Sequence, residues 1–266
     1  MLHDRYPLPP MTIRSSAMDD IIERVDLASG IRPPAPVHVI GRAGTGKSTA
    51  LRMIAKERGY HYTEAEYASK SVEGLYASIL RDCTELYDVP KWRAKKVAAV
   101  EQMLHPRQTL AQNGEWDWVP SVLVVDEIQQ VELTCLRQLL QTAERAGALL
   151  ILAGNERGLA SGRGRPAEDL EPITSRLAIR IKIEGCSKRD CELIASKHGV
   201  EGMPAFRACV AYGAAHNLRE LVSLLEIARQ MATGPSIDES AVHHAAMVKH
   251  GKKEAVKLLK AHHEEA

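Results

Sequence analysis

The stretch Gly41-Arg-Ala-Gly-Thr-Gly-Lys47-Ser48 constrains this chain more than any other. It satisfies the pattern GxxxxGK[ST] and lies between a short apolar run, Val37–Ile40, and a helical stretch from Lys47 to Arg58 that Gly59 stops. Glycines at these places let the backbone curl until its N–H groups face an anion, and the following helix start adds its dipole. Lys47 is placed to reach the β- and γ-phosphates of a nucleoside triphosphate, and the Ser48 hydroxyl to ligate magnesium. Gly41, Arg42, Ala43, Gly44, Thr45 and Gly46 form the cradle, and Thr49 follows it into the helix. Such a loop works only at the end of a buried strand, so it predicts a sheet.

The remaining apolar runs predict the rest of that sheet: Tyr60–Glu66, Ser121–Val125, Ala148–Ala153 and Ala178–Ile183. Between them, Val72, Leu75, Tyr76, Ile79, Leu80, Cys83 and Leu86 recur at helical spacing with Ser71 as N-cap, as do Leu133, Leu136, Leu139, Leu140 and Ala143. Short buried strands alternating with helices give an α/β class, a parallel sheet flanked by helices. After about Cys186 the strands stop. Ser187-x-x-Asp190 reads as a capping box, Pro204–Ala215 as a second helix, Asn217 as the cap of Leu218–Met231, and Ser236-x-x-Glu239 as a capping box for a fourth. The expected organisation is an N-terminal arm (1–36, with a helical stretch Ala17–Ser29), an α/β domain (37–185), a small helical domain (186–250) and a basic C-terminal tail (251–266).

Charge and composition exclude several classes. Lys and Arg total 35 against 34 Asp and Glu, a formal charge of +1, so a strongly basic coat is out and only a local basic patch is left. The longest apolar stretches fall well short of a bilayer span, residues 1–30 lack a signal-peptide core, and the five cysteines show no CxxC spacing. A soluble cytoplasmic chain with no membrane partner is the expectation. The His-rich tail has no Cys or Asp ligand set for zinc.

Three further features align with the loop. Asp126-Glu127 ends the strand Val122–Val125, where the first carboxylate can hold the magnesium shell and the second can activate water. Asn155 follows the strand Leu149–Ala153, and Arg219 opens the third helix of the C-terminal group. In this order they resemble the Walker A, Walker B, sensor 1 and sensor 2 elements of the AAA+ ATPases, over about residues 37–250. The resemblance implies ATP and Mg2+ as cofactors, a helical lid after the α/β domain, and self-assembly into a ring or helical filament. It also implies an arginine finger acting in trans, with Arg176 in Ile173-Thr-Ser-Arg176-Leu as the expected finger and Arg180 as the alternative.

Within that superfamily, the Asp126-Glu-Ile-Gln-Gln130 segment, Leu152-Ala-Gly-Asn155 and Ser175-Arg176-Leu-Ala-Ile-Arg180 resemble the transposition ATPases typified by the MuB protein of phage Mu and the TnsC proteins. That resemblance implies ATP-dependent, sequence-nonspecific binding of duplex DNA as a filament, selection of target DNA, and activation of a transposase in a bacterial or phage-infected cytoplasm. The arm of 36 residues is too short for the helix-turn-helix domain that MuB carries, which leaves the AAA+ body as the DNA-binding surface. Candidate contacts are Lys70, Arg93, Lys95 and Lys96, with Arg163 and Arg165 in the Gly158–Pro166 loop. The competing view of the Lys91-Trp92-Arg93-Ala-Lys95-Lys96 cluster is a solvated helix face with Trp92 in the core. Alternatives for the whole chain are a helicase loader or replication initiator, or a nucleotide-gated scaffold with no DNA role.

Overall fold

A computed structural model describes residues 5–9, 12–84, 88–110, 116–156, 159, 167–253 and 255. Its centre is a five-stranded parallel sheet of β1 (Val37–Gly41), β2 (His61–Glu64), β5 (Val122–Asp126), β6 (Leu149–Gly154) and β7 (Ile179–Ile183), in the order β2-β5-β6-β1-β7. Strands β5 and β6 are buried at every residue, as strands covered on both faces must be. Between β2 and β5 the chain adds an antiparallel hairpin, β3 (Arg107–Leu110) with β4 (Trp116–Val119), which the sequence pattern did not signal.

Helices α1 (Ser16–Gly30), α2 (Lys47–Arg58), α3 (Val72–Cys83), α4 (Arg93–Met103), α5 (Leu133–Ala146) and α6 (Ala167–Thr174) accompany the sheet. Helix α2 begins at Lys47 and ends before Gly59, whose φ of +67° supplies the left-handed residue that closes a helix. Ser71 caps α3, its Oγ accepting from the Gly74 N–H at 3.0 Å. Within the described residues the predicted periodicity is the buried face, Leu86 lying outside them: Leu75, Tyr76, Ile79 and Leu80 pack with Leu136, Leu139 and Leu140 of α5 and with Leu123, Val125, Leu150 and Leu152 of the sheet. The one polar atom of this group, the Tyr76 hydroxyl, lies 2.7 Å from Thr142 Oγ1, so burial leaves it bonded.

Two sequence expectations are corrected in this part. The strand expected over Tyr60–Glu66 is shorter, because a 3-10 turn takes Tyr67–Lys70 and the chain leaves the sheet at Glu64. Trp92 does not enter the core: it precedes the first turn of α4 as its N-cap and is 72% exposed, while that helix is anchored by Val100.

By contacts the chain divides into two compact units. One comprises Met1–Leu8, Met18–Gly41 and Lys47–Ile183, the other Pro9–Ala17, Arg42–Gly46 and Glu184–Ala266. In the first, Met18, Ile21, Val25 and Ala28 of α1 are wholly buried. The second holds α7 (Lys188–Lys197), α8 (Met203–Ala215), α9 (Leu218–Met231) and α10 (Glu239–His250). Its core joins Cys191, Ile194, Cys209, Tyr212, Leu221, Leu224, Leu225, Ile237 and Val242.

The caps of α7 and α9 follow the sequence. Asp190 N–H donates to Ser187 Oγ and Ser187 N–H to Asp190 Oδ2, a reciprocal box, and Asn217 Oδ1 accepts from the Glu220 N–H. The Ser236-x-x-Glu239 box does not form. Ile237 is held extended by a parallel bridge to Val200, with its N–H bonded to Gly199 O at 2.8 Å and its carbonyl accepting from Glu201 N–H at 3.0 Å. The helix can start only after that bridge, so Asp238 caps it instead, accepting from the Ala241 N–H at 2.8 Å.

Candidate nucleotide site

The glycine loop is built as its pattern requires. Gly44 and Gly46 have φ of +82° and +88°, a conformation that side chains disfavour. At Gly44 space matters as well: a Cβ there would stand 2.4 Å from Asn217 Oδ1. The Gly44 carbonyl accepts from the Arg219 N–H at 3.3 Å, so the peptide Arg42–Gly46 is seated on the start of α9. Gly41 closes β1 against β7, where a Cβ would meet the Ile183 carbonyl oxygen at 2.6 Å. Lys47 is 8% exposed and its Nζ donates to the Gly41 carbonyl at 2.8 Å, which holds the ammonium along the loop. Ser48 and Thr49 are half-buried in the first turn of α2.

Sheet order places the acidic pair. Strand β6 lies between β1 and β5, with Gly154 beside Ile40 and Leu152 beside both His38 and Val125. The C-terminal ends of β1, β6 and β5 therefore carry Gly41, Asn155 and Asp126-Glu127 in neighbouring strands. Asp126 is wholly buried; its Oδ2 accepts from the Tyr62 hydroxyl at 3.0 Å and its Oδ1 from the Glu127 N–H at 2.8 Å. Glu127 adopts φ +57° and ψ +38°, a left-handed residue that turns its carboxylate out of the strand direction. Burial, then the Asp126 and Glu64 carboxylates, push the Glu127 carboxyl above the usual range, while the Lys47 charge and a bond from Gln129 pull it back.

Sequence reasoning missed two residues here. The Gln129 amide nitrogen donates to Glu127 Oε2, and its amide oxygen accepts from the Asn155 N–H at 3.2 Å. One side chain thus spans the second carboxylate and the end of β6. Gln129 is visible in the acidic segment, but its partners depend on the backbone turn at Glu127. Tyr62, the other, reaches Asp126 from the neighbouring strand, and no sequence pattern announces that contact.

The donor set suits a divalent cation carried on phosphates. Among the described residues Asp126 is bonded by two neutral donors, so its charge is left without a cationic partner in a buried position. No group of three or more His, Cys, Asp or Glu that could hold a metal occurs among the described residues, so no protein cage competes. Ser48 and Asp126 are the residues that could hold such an ion, with nucleotide oxygens completing its shell.

Arg219 contributes its backbone to Gly44 while its side chain is exposed. Arg176 follows α6, is exposed and pairs with Glu144 at 3.5 Å; Arg180 is exposed on β7, where its charge adds to burial in lowering the His38 pKa. Lys70, Arg93 and Lys95 are exposed and Lys96 half-buried. An ion pair of 3.9 Å between Arg93 and Glu73 brings the start of α4 beside the start of α3, three residues after Lys70. Arg163 and Arg165, with most of the tail, lie outside the described residues.

Residues 32–161 match the AAA domain family. The match spans just under half of the chain. Solved structures share the fold. The Aeropyrum pernix ORC2 protein, solved in ADPNP–ADP complexes, is 16% identical at a TM-score of 0.59, over 92% of this chain and 70% of that one. The Thermotoga maritima RuvB Holliday junction branch migration motor is 16% identical at 0.55, over 92% and 75%. A point variant of that RuvB gives 17% and 0.54, over 89% and 71%. At such identities the likeness is one of fold, the AAA+ P-loop fold. Comparison with curated proteins gives no match.

Proposed function

We propose that the chain is a magnesium-dependent ATPase that binds duplex DNA while holding ATP, assembles with further copies of itself, and uses hydrolysis to release the DNA. The observation that carries the hydrolytic reading is the buried Asp126 with Glu127 turned beside it and fixed by Gln129. Lys47 and the loop N–H groups bind the phosphates, and Ser48 with Asp126 would hold magnesium, which would withdraw charge from the phosphates. Glu127 takes a proton from the attacking water. Its raised pKa makes it a better base than an exposed glutamate, at the cost of a higher pH for ionisation.

The DNA reading is supported by the exposed cluster at the starts of α3 and α4: Lys70, Lys91, Arg93 and Lys95, with the exposed ring of Trp92 among them. Cations there neutralise phosphates without reading bases, and repetition along an assembly compensates for a near-zero net charge. Target selection for a transposase is the finer form of this proposal and rests on the sequence resemblance. The neighbouring RuvB fold belongs to a motor that acts on DNA junctions, in keeping with a DNA partner.

A mobility shift on random duplex DNA with ATP, ADP or no nucleotide tests it. Binding is expected with ATP, most strongly in Glu127→Gln, which keeps ATP and stops turnover. Binding to one sequence alone would favour an initiator, and no binding under any condition a scaffold.

A further inference from the structure

The first unit carries an open-mouthed cavity of about 510 Å³ beside β2, within the size range of small-molecule pockets. Arg52 and Lys56 of α2, His61 of β2 and Arg107 of β3 line it, together with Tyr6 and Tyr62. Its one carboxylate, Asp82, is already taken by Arg5 at 2.8 Å, the Tyr6 hydroxyl at 2.7 Å and Thr63 Oγ1 at 2.7 Å. Arg107 and Lys56 are exposed, and among the described residues neither pairs with a carboxylate. Arg107 Nη2 lies instead 3.2 Å from His61 Nε2, and burial together with that guanidinium holds the imidazole down at about 4, neutral at pH 7.

We infer that this cavity is a second ligand site, for a small phosphate-bearing anion, and that its occupancy is felt at the nucleotide site. Guanidinium, ammonium and imidazole groups around a solvent-open hollow with its acid neutralised suit a phosphate. The link is a chain of contacts. Arg52 lies over the Tyr6 and Tyr62 rings at 5.5 and 5.8 Å, donates to the Tyr62 hydroxyl at 3.2 Å and to Glu64 at 2.6 Å. The same Tyr62 hydroxyl donates to Asp126. An anion that draws Arg52 toward it loosens its hold on Tyr62, and with it the Tyr62 bond to the carboxylate proposed to hold magnesium.

The site is tested with the full chain, its glycine loop first filled with a non-hydrolysable ATP analogue and magnesium. Inorganic phosphate and, separately, adenosine 5′-monophosphate are titrated while the His61 imidazole resonance, assigned through His61→Gln, is followed by NMR. A saturable shift with either probe is expected, weakened at least about tenfold in Lys56→Ala/Arg107→Ala at an unchanged thermal midpoint. Saturation with phosphate alone names a free phosphate as the ligand, and with the nucleotide alone a phosphorylated metabolite. No shift by about 10 mM, a range where binding energy is under about 3 kcal/mol, or equal shifts in the double variant, would overturn the site. The coupling rests on the ATPase reading and is measured separately: the probe should change the magnesium dependence of hydrolysis in the wild type and not in Tyr62→Phe. An unchanged dependence in the wild type overturns the coupling, and a chain that hydrolyses nothing overturns the ATPase reading, while the NMR titration still judges the site.

Discussion

Gln129 shows how much chemistry hangs on one side chain. It holds the Glu127 carboxylate with its nitrogen and the Asn155 backbone with its oxygen, and Gly154 is what makes room for it: a Cβ there would stand 2.6 Å from Gln129 Oε1. Gln129→Ala should therefore lower the turnover of ATP by about tenfold, less than the ~10²–10⁴-fold that a positioned base itself supplies, with nucleotide affinity unchanged. Gly154→Ala should do the same by displacing the amide. A pH profile separates positioning from simple damage. Because Glu127 titrates above the usual carboxylate range, turnover falls as pH drops through that raised value. Losing the Gln129 bond, which lowers the pKa, moves this acid limb to higher pH; a profile displaced to lower pH, or unmoved, would count against the role. The glycine loop and the acidic pair are legible in the sequence because backbone geometry and charge are written in residue type. The Gln129 bridge is not, because it needs a non-glycine residue at φ +57° and a neighbouring strand end.

Among the elements, those with a strong period or a cap are the ones the sequence announces. Helix α5 and strands β5 and β6 carry unbroken apolar faces, and α7 and α9 carry their caps in order. Helix α4 fully buries Val100 alone, with Val97, Ala99 and Met103 half-buried, and Arg107, Gln108, Thr109, Asp117, Trp118 and Val119 of the β3–β4 hairpin are all exposed, so neither has a strong stripe to read. The misplaced cap of α10 gives a direct test. Asp238→Ala should cost about 1 kcal/mol in urea unfolding and Ser236→Ala nearly nothing; the reverse order would restore the box at Ser236. Strand β1 offers a second. His38 is buried beside Arg180 with Nε2 unbonded among the described residues, and burial, then that arginine, hold it at about 4. A histidine kept neutral in the fold binds its proton only on unfolding, so stability is lost as pH falls from about 6.5 toward 4. His38→Val, which suits a buried strand, should flatten that loss by up to about 3 kcal/mol between pH 7 and 4. An equally steep loss in the variant would place the acid sensitivity elsewhere, with His61 the next residue to replace.

At the scale of the whole molecule, the proposed assembly depends on an arginine that one copy lends to another. Arg176 is suited to that: it sits in the exposed turn after α6, and its local partner Glu144 is a solvent-exposed ion pair worth under about 1 kcal/mol, readily given up. Arg180, in contrast, is fixed on β7 next to β1. Arg176→Ala should leave ATP binding by a single copy intact and abolish hydrolysis, and Lys47→Ala should abolish binding through loss of the cation along the loop. Each variant alone is then inactive for a different reason. Mixed in equal amounts, an intact loop from an Arg176→Ala copy will meet an intact Arg176 from a Lys47→Ala copy at about one interface in four, since head-to-tail contacts assemble at random. ATP hydrolysis should recover to about a quarter of the wild-type rate, and the recovery should grow with total protein concentration. A mixture as inactive as its components shows that Arg176 does not act across an interface. If Arg180→Ala complements Lys47→Ala where Arg176→Ala fails, the arginine on the edge strand is the one lent between copies.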